Sequence, residues 1–526
     1  MRRILNPLHS TEIPFAAILL FGLLAMTARN AIDPDLWWHL RSGQWIVESH
    51  TIPHSDPFSF TRAGYPWISH EWLSEILFYE LFKHGGAAAL IVFSAIITTA
   101  GFMLLYLRCL PRGEKRHWAA AATALGALVS APSWGIRPQM FTFTMASILL
   151  LLLERGEARP KLLLWIPPLF LLWLNLHGGF ALGPALLAAY GLGTLLETAV
   201  GTTPWNEARP ILFRILLLLL ACFALVPLNP NGIHLYRYPL DTLRSSGMRS
   251  LIAEWRSPDF HASFYRPLLL LWLLLLTALA ASRTRLNGRV IVPLLLTAFA
   301  ALDAARHIPI FILVAIPVVA AAIPVSTSSP SARHPAFWRL RPGFGAFVIL
   351  LMAIFALAKS TTLARHQNTL VAQIFPQQAI EFLSANSFPA NALAQNKKLF
   401  VYYDWGGYAV WNLYPSYRVF VDGRADLYGD LLMQQSVSTL IDLHSGWRDI
   451  LDRWQVEVIL VPPSCALAQA LLLDGHWRTA FSDSQAIIFS RSPLTPRNTD
   501  ISTINPSPNW QKDEKMFPIS IPNLRN

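Results

Sequence analysis

The sequence predicts a polytopic α-helical membrane protein, with about eleven transmembrane helices and a soluble α/β domain at its C-terminal end. Three observations predict it. Of the 526 residues, 53% are hydrophobic and only 14% charged, where a soluble chain carries about a quarter charged residues. Apolar runs recur through the first two thirds, as in 15-FAAILLFGLLAM-26, 211-ILFRILLLLLACFALV-226 and 268-LLLLWLLLLTALAA-281. From residue 376 onward, short apolar strand-like runs alternate with helical patterns instead.

Taken in order, the runs long enough to be built as spanning helices fall at 12–30, 87–107, 118–132, 139–153, 162–176, 180–199, 211–227, 267–281, 290–304, 308–323 and 344–360. Several are short or carry Pro, which a span tolerates when packed against other helices. Alternate loops are basic: Arg2/Arg3, Arg108/Arg112/Lys115/Arg116, Arg155/Arg159/Lys161, Arg283/Arg285/Arg289 and Arg333/Arg339/Arg341. The 200–210 loop is the weakest of the set, with Arg209 and the nearby Arg214. The positive-inside rule makes these loops and the N-terminus cytoplasmic and puts everything after residue 361 outside. The net charge of +11 is then a topological signal and not a nucleic-acid footprint. Met1-Arg2-Arg3 before an apolar run predicts an uncleaved signal anchor. The three cysteines, Cys109, Cys222 and Cys465, predict no disulfide framework.

The external side holds the loops 31–86 and 228–266, the region after 361, and three short turns: 134-WGIRPQ-139, 175-NLHGG-179 and 304-AARHIP-309. If the turns converge, their polar groups line one external cavity. Ionisable residues at helix ends inside a bundle mark a functional site by default.

In the first loop, Asp33 and Pro34 are a good N-cap and first helical residue for a helix over 33-DPDLWWHLRSGQWIVESH-50. Asp35 and His39, four apart, share one face of it. Trp37, Trp38 and Trp45 form a stripe that suits a membrane interface. A second helix is predicted from about Ser69, in 69-SHEWLSEILFYELF-82. Asp33 and Asp35 have two readings. Both can serve the helix start, or one can stand at a cavity mouth as a base or metal ligand, with His39, His54, His70 and Glu71 as further ligands or a base.

An acidic motif directly after the first span, then an external loop with interfacial helices, resembles the GT-C class of membrane glycosyltransferases. The stretch 402-YYDWGGYAVW-411 looks like a variant of the WWDYG-type motif of oligosaccharyltransferase catalytic subunits. It lacks the second leading Trp, so peptide-acceptor recognition is not carried over. The layout also resembles bacterial membrane proteins with a DPDxWWHL loop and a DWGGY…DGRADLYG tail. The likeness covers nearly the whole chain through short motifs. It implies a GT-C-like transmembrane domain over 1–361 in a cell inner membrane. It also implies transfer of a sugar from a polyprenyl-phosphate or -diphosphate carrier to a lipid, glycan or protein acceptor on the outer face. The partners are then the lipid-linked donor and membrane lipids. Asp33 or Asp35 would be the base or a metal ligand, and Mg2+ or Mn2+ is the candidate cofactor, though the residues fix none.

The chemistry agrees with that placement. A lipid phosphate lies at headgroup depth and leaves readily, so the acceptor hydroxyl needs one base and the departing phosphate needs fixed cationic donors. Arg137, His177, Arg237, Arg256, Arg306 and His307 are the candidates, Arg306 first. Asp303 offers Arg306 an alternative, a buried pair that only fixes two helices. In the second loop, Glu254 and Arg256 either face substrate or form a surface salt bridge beside the turn 227-PLNPNG-232.

The C-terminal domain, 376–492, is predicted with strands at 398–403, 418–423, 456–461 and 486–491 and helices at 377–385, 407–413, 429–441, 446–454 and 465–473, in two or three layers. Asp404, Asp422, Arg424 and Asp426 fall at strand ends, where binding residues of such sheets lie. The plainer reading makes 404-DWGGY-408 a helix cap and 422-DGRAD-426 a turn with an internal ion pair. Residues 493–526 read as a disordered tail. No nucleotide-hydrolysis motif is present. Two other function classes remain: a glycolipid transporter or flippase, which inverted repeats and midplane helix breaks would favour, and a non-catalytic envelope-assembly protein.

Overall fold

Each apolar run expected to span is helical. The computed structural model describes residues 13–110, 116–281, 287–322, 342–385 and 396–491. The predicted tail 493–526 and most residues of the basic loops lie outside the described residues. In chain order the helices are α1 (Ile13–Thr27), α2 (Pro34–Ser49), α3 (Trp72–Cys109), α4 (Arg116–Ser130), α5 (Gln139–Gly156), α6 (Ile166–Leu176), α7 (Leu182–Ala199), α8 (Trp205–Leu225), α9 (Tyr238–Arg244), α10 (Ser246–Leu251), α11 (Arg266–Ala281), α12 (Gly288–Asp303), α13 (Ile308–Ala322) and α14 (Pro342–Ile374). Among the described residues, six helical stretches are long and apolar enough to cross a membrane: Trp72–Cys109, Gly178–Ala199, Trp205–Leu228, Ser263–Ala281, Ala305–Ala322 and Gly343–Ile374. The other expected spans fall on α1, α4, α5, α6 and α12, which are shorter or more polar and pack within the bundle. Length and composition thus support six spans of the eleven expected.

The first loop folds as its residues dictate. The Asp33 carboxylate accepts from the Asp35 amide at 3.0 Å and Pro34 opens α2. The helix stops at His50, which takes a left-handed conformation (φ 54°). The helix expected from Ser69 starts at Trp72 and runs on into the following span, broken at Gly86. The backbone there (φ 59°, ψ −159°) is open to glycine and to few other residues.

After α15 (Gln377–Ala385), the C-terminal domain runs β1 (Lys397–Val401), α16 (Tyr403–Leu413), β2 (Tyr417–Val419), α17 (Ala425–Val437), α18 (Trp447–Arg453), β3 (Val458–Val461), α19 (Ala466–Leu472), β4 (Trp477–Ser482) and β5 (Ile487–Arg491). The sheet order is β2-β1-β3-β5-β4, with β1 parallel to β2 and β3, and β5 antiparallel to β3 and β4. Four strands match expectation. β4 was not expected: WRTAFS has little apolar signal because it is a partly exposed edge strand, irregular between Thr479 and Phe481.

The first loop covers the opposite edge of the sheet. Phe60 N–H donates to the Val419 carbonyl (3.1 Å), and Val419 N–H to that of Phe58 (3.2 Å). The domain also lies on α2, which corrects the reading of the tryptophans as membrane anchors. Trp37 packs edge-on against Phe375 (5.6 Å) and Tyr408 (4.9 Å), and Trp38 against Trp67 (6.4 Å). Both are buried, because protein rather than lipid headgroups covers that face.

Candidate functional site

The loops and short turns, which the sequence grouped on one side, converge. They enclose a cavity of about 560 Å³ between the helix ends and the C-terminal domain. Its wall takes residues from both large loops, from all three turns and from the domain. Part of its wall is apolar, through Leu182, Ala185, Leu296 and Ile310.

One pole is built on Arg137. Its guanidinium donates from Nε to Asp33 Oδ2 and from Nη1 to Glu254 Oε2 (2.9 Å), and its Nη2 lies 3.5 Å from Asp35 Oδ2. Burial opposes its charge, but the three carboxylates outweigh that and hold Arg137 well above the usual range. Arg306 stands beside it. Among the described residues its ion pair is with Glu254 (3.4 Å), and its guanidinium lies over the Trp255 ring at 4.2 Å. Burial works against the Glu254 charge too, and the two arginines overcome it and keep the carboxyl below its ordinary value.

Asp33 and Asp35 differ here. Asp33 has one oxygen on the Asp35 amide and the other on Arg137. Asp35 lines the cavity, accepts from Trp38 Nε1 (3.3 Å), and has only the longer contact to Arg137. Burial pushes its carboxyl up to about 6, against the pull of Arg137 and with the help of Asp33.

The other pole gathers three imidazoles on Glu71. Its carboxylate lies 3.2 Å from His70 Nε2, 3.4 Å from His177 Nε2 and 3.6 Å from His39 Nε2. Burial disfavours the Glu71 charge, yet His70, His177 and His39 together hold it well below the usual carboxylate range. His70 is desolvated as well, but Glu71 lifts it to about 9, so this pair is ionised at neutral pH. Burial pushes His177 down to about 4. Its Nδ1 accepts from Gly179 N–H (3.0 Å), so its Nε2 carries the proton toward Glu71. Tyr238 Oη lies 3.0 Å from His70 Nε2. Tyr403, Asp404 and Asp426 of the C-terminal domain also line the cavity, and burial raises both of these carboxyls.

Of the candidates read from sequence, Asp35, His39, His70, Glu71, Arg137, His177, Glu254, Arg306, His307 and Asp404 therefore meet at one cavity. Others do not. Arg256 bonds the Ser250 carbonyl through Nε (3.1 Å) and Nη2, folding back on α10. Arg237 is exposed and pairs with Asp241, and His54 is exposed on its loop. Asp303 is exposed and forms no pair with Arg306, which turns to Glu254 instead. Asp422 and Arg424 take the plainer of their readings. Arg424 is 1% exposed and donates to Asp422 (2.6 Å) and to Asp56 (2.8 Å), between the Phe58 and Trp67 rings. With that fork engaged the pair is a pin between domain and loop. Asp426, read from the sequence as a strand-end candidate in the DGRAD motif, also lines the cavity, whereas Tyr238 and Tyr403 were not singled out.

Among the described residues, no group of three His, Cys, Asp or Glu side chains is arranged to hold a metal ion. Asp33 and Asp35 already share the Arg137 guanidinium.

No protein-family model and no curated protein matches the sequence. Solved structures do. The archaeal oligosaccharyltransferase AglB from Archaeoglobus fulgidus, in complex with an inhibitory peptide and a dolichol-phosphate, aligns at a TM-score of 0.55 and 12% identity, over 92% of this chain and 75% of that one. ArnT from Cupriavidus metallidurans bound to undecaprenyl phosphate aligns more loosely, at a TM-score of 0.47 and 13% identity, over 92% and 99%. The chain therefore has the fold of the GT-C membrane glycosyltransferases.

Proposed function

We propose that this GT-C fold carries a glycosyltransferase, which moves a sugar from a polyprenyl-phosphate carrier to a hydroxyl of a lipid, glycan or protein acceptor at the outer face of the membrane. The observation that carries the reading is the meeting of Asp35 and Arg306 in one cavity whose wall is partly apolar. The AglB structure, which holds a dolichol-phosphate, supports the same class of donor.

In this reading the acceptor oxygen attacks the anomeric carbon as the bond to the phosphate oxygen breaks. The hydroxyl proton passes to Asp35, and the carrier phosphate leaves with the bonding electrons. A base whose carboxyl sits at about 6 is ionised at neutral pH yet more basic than an ordinary aspartate. Asp33 serves instead as helix cap and anchor for Arg137. Arg306 stabilises the departing phosphate, because its donors are the less committed ones, whereas Arg137 already serves three carboxylates. Arg137 also supplies positive charge beside Asp35.

The test is transfer of radiolabelled sugar from polyprenyl-phosphate donors in membranes bearing wild type, Asp35→Asn, Asp33→Asn or Arg306→Ala. Asp35→Asn is expected to lose about a hundredfold or more of kcat. Arg306→Ala is expected to lose about as much, partly restored by Arg306→Lys. Full activity in Asp35→Asn sinks the assignment. Movement of glycolipid across the bilayer, with no transfer to any acceptor, points to the transporter class.

A further inference from the structure

The two sequence motifs of the C-terminal domain meet the first turn of α2 through glycines. A Cβ at Gly406 would lie 2.5 Å from the Val421 carbonyl, and one at Gly407 2.6 Å from the Pro34 carbonyl and 3.4 Å from Trp38. At Gly423 a Cβ would overlap Asp35 Oδ1 and lie 2.8 Å from Trp38 Nε1, the donor to that same oxygen. The chain of contacts runs from DWGGY to DGRAD and from both to DPD. The turn cannot draw back freely, because Arg424, the next residue, is locked to Asp56 of the first loop.

We infer that the turn 422–426 is a working part of the site, and that Gly423 is a positioning residue whose backbone holds the Asp35 carboxylate against Arg137. This rests on Asp35 being the base. The physical reason is steric. Asp35 has one weak contact to Arg137 and one to Trp38, too little to fix its rotamer, and the backbone at Gly423 closes the remaining direction. A side chain there must push the carboxylate away or lift the domain. The soluble domain thereby becomes a component of the catalytic centre, and its loss would cost activity even if the bundle stayed folded.

The test compares full-length wild type, Gly423→Ala and Gly407→Ala with Gly475→Ala, a position in the same domain with nothing within 4 Å. Two measurements are made on each purified protein. The first is sugar transfer, resolved into kcat and KM. Gly423→Ala is expected to lower kcat by about a hundredfold, the effect of misplacing a reacting group by an ångström. Its KM for the donor should stay within about twofold. The second is amide hydrogen exchange, which needs no substrate. The first turn of α2 should lose protection while β1, β3 and β5 keep theirs. Gly407→Ala should share both effects and Gly475→Ala neither. Unchanged kcat and unchanged exchange in the α2 turn overturn the inference. So does loss of protection across the whole sheet, which marks a merely structural glycine. If wild type transfers no sugar, the proposed function fails, and the exchange measurement still decides whether Gly423 seats Asp35.

Discussion

Two residues apart on one helical turn, Asp33 and Asp35 meet different surroundings. Asp33 is spent on an amide and on Arg137, while Asp35 opens to the cavity. A base must be ionised, and burial, helped by Asp33, holds the Asp35 carboxyl at about 6. Transfer is therefore expected to be level above that pH and to fall as pH drops through it, by about tenfold for each unit further down. Initial rates across the acid to neutral range check this, and Asp35→Asn should leave a low rate without that acidic limb. A midpoint near the ordinary aspartate value would mean that another group takes the proton. The spacing of Asp35 and His39 put both on one face, and that was legible in the sequence. The convergence of His70, His177 and His39 on Glu71 was not, because the imidazoles come from three separate segments.

The same contrast holds for whole elements. α2 was predictable from its cap and its first proline, since both act within one turn. β4 escaped because an edge strand needs little apolar surface. The DGRAD turn was visible as a motif, but its partner Asp56 lies in an irregular loop with no periodic signal. Arg424 between Asp56 and Asp422 is the clearest stability test of an element. Arg424→Ala leaves two buried carboxylates uncompensated and should cost about 3–5 kcal/mol, read from the denaturation midpoint of the purified protein. Arg256→Ala, which only frees the Ser250 carbonyl, should stay within about 0.5 kcal/mol. Equal effects from the two would refute the pin.

At the scale of the molecule, the two large loops, the three short turns and the C-terminal domain line one cavity. Leu473 of the soluble domain is 91% exposed and Arg159 lies exposed on a basic loop. In a Cys465→Ser background, Leu473→Cys should react with a membrane-impermeant maleimide on intact cells, and Arg159→Cys only after permeabilisation. The reverse pattern would invert the topology and put the cavity in the cytoplasm. By itself the sequence determined the apolar helices, the alternation of basic loops, the grouping of the polar turns and the presence of a C-terminal α/β unit. Each is a property of neighbours along the chain: hydropathy, period and local charge. Only the tertiary structure decided that Asp35 rather than Asp33 opens to the cavity, that Arg137 is engaged by three carboxylates, that Arg424 is a pin, and that Gly423 closes over Asp35. Pairing, desolvation and close approach are set by groups that are distant in sequence and become neighbours when the loops, the turns and the domain pack together.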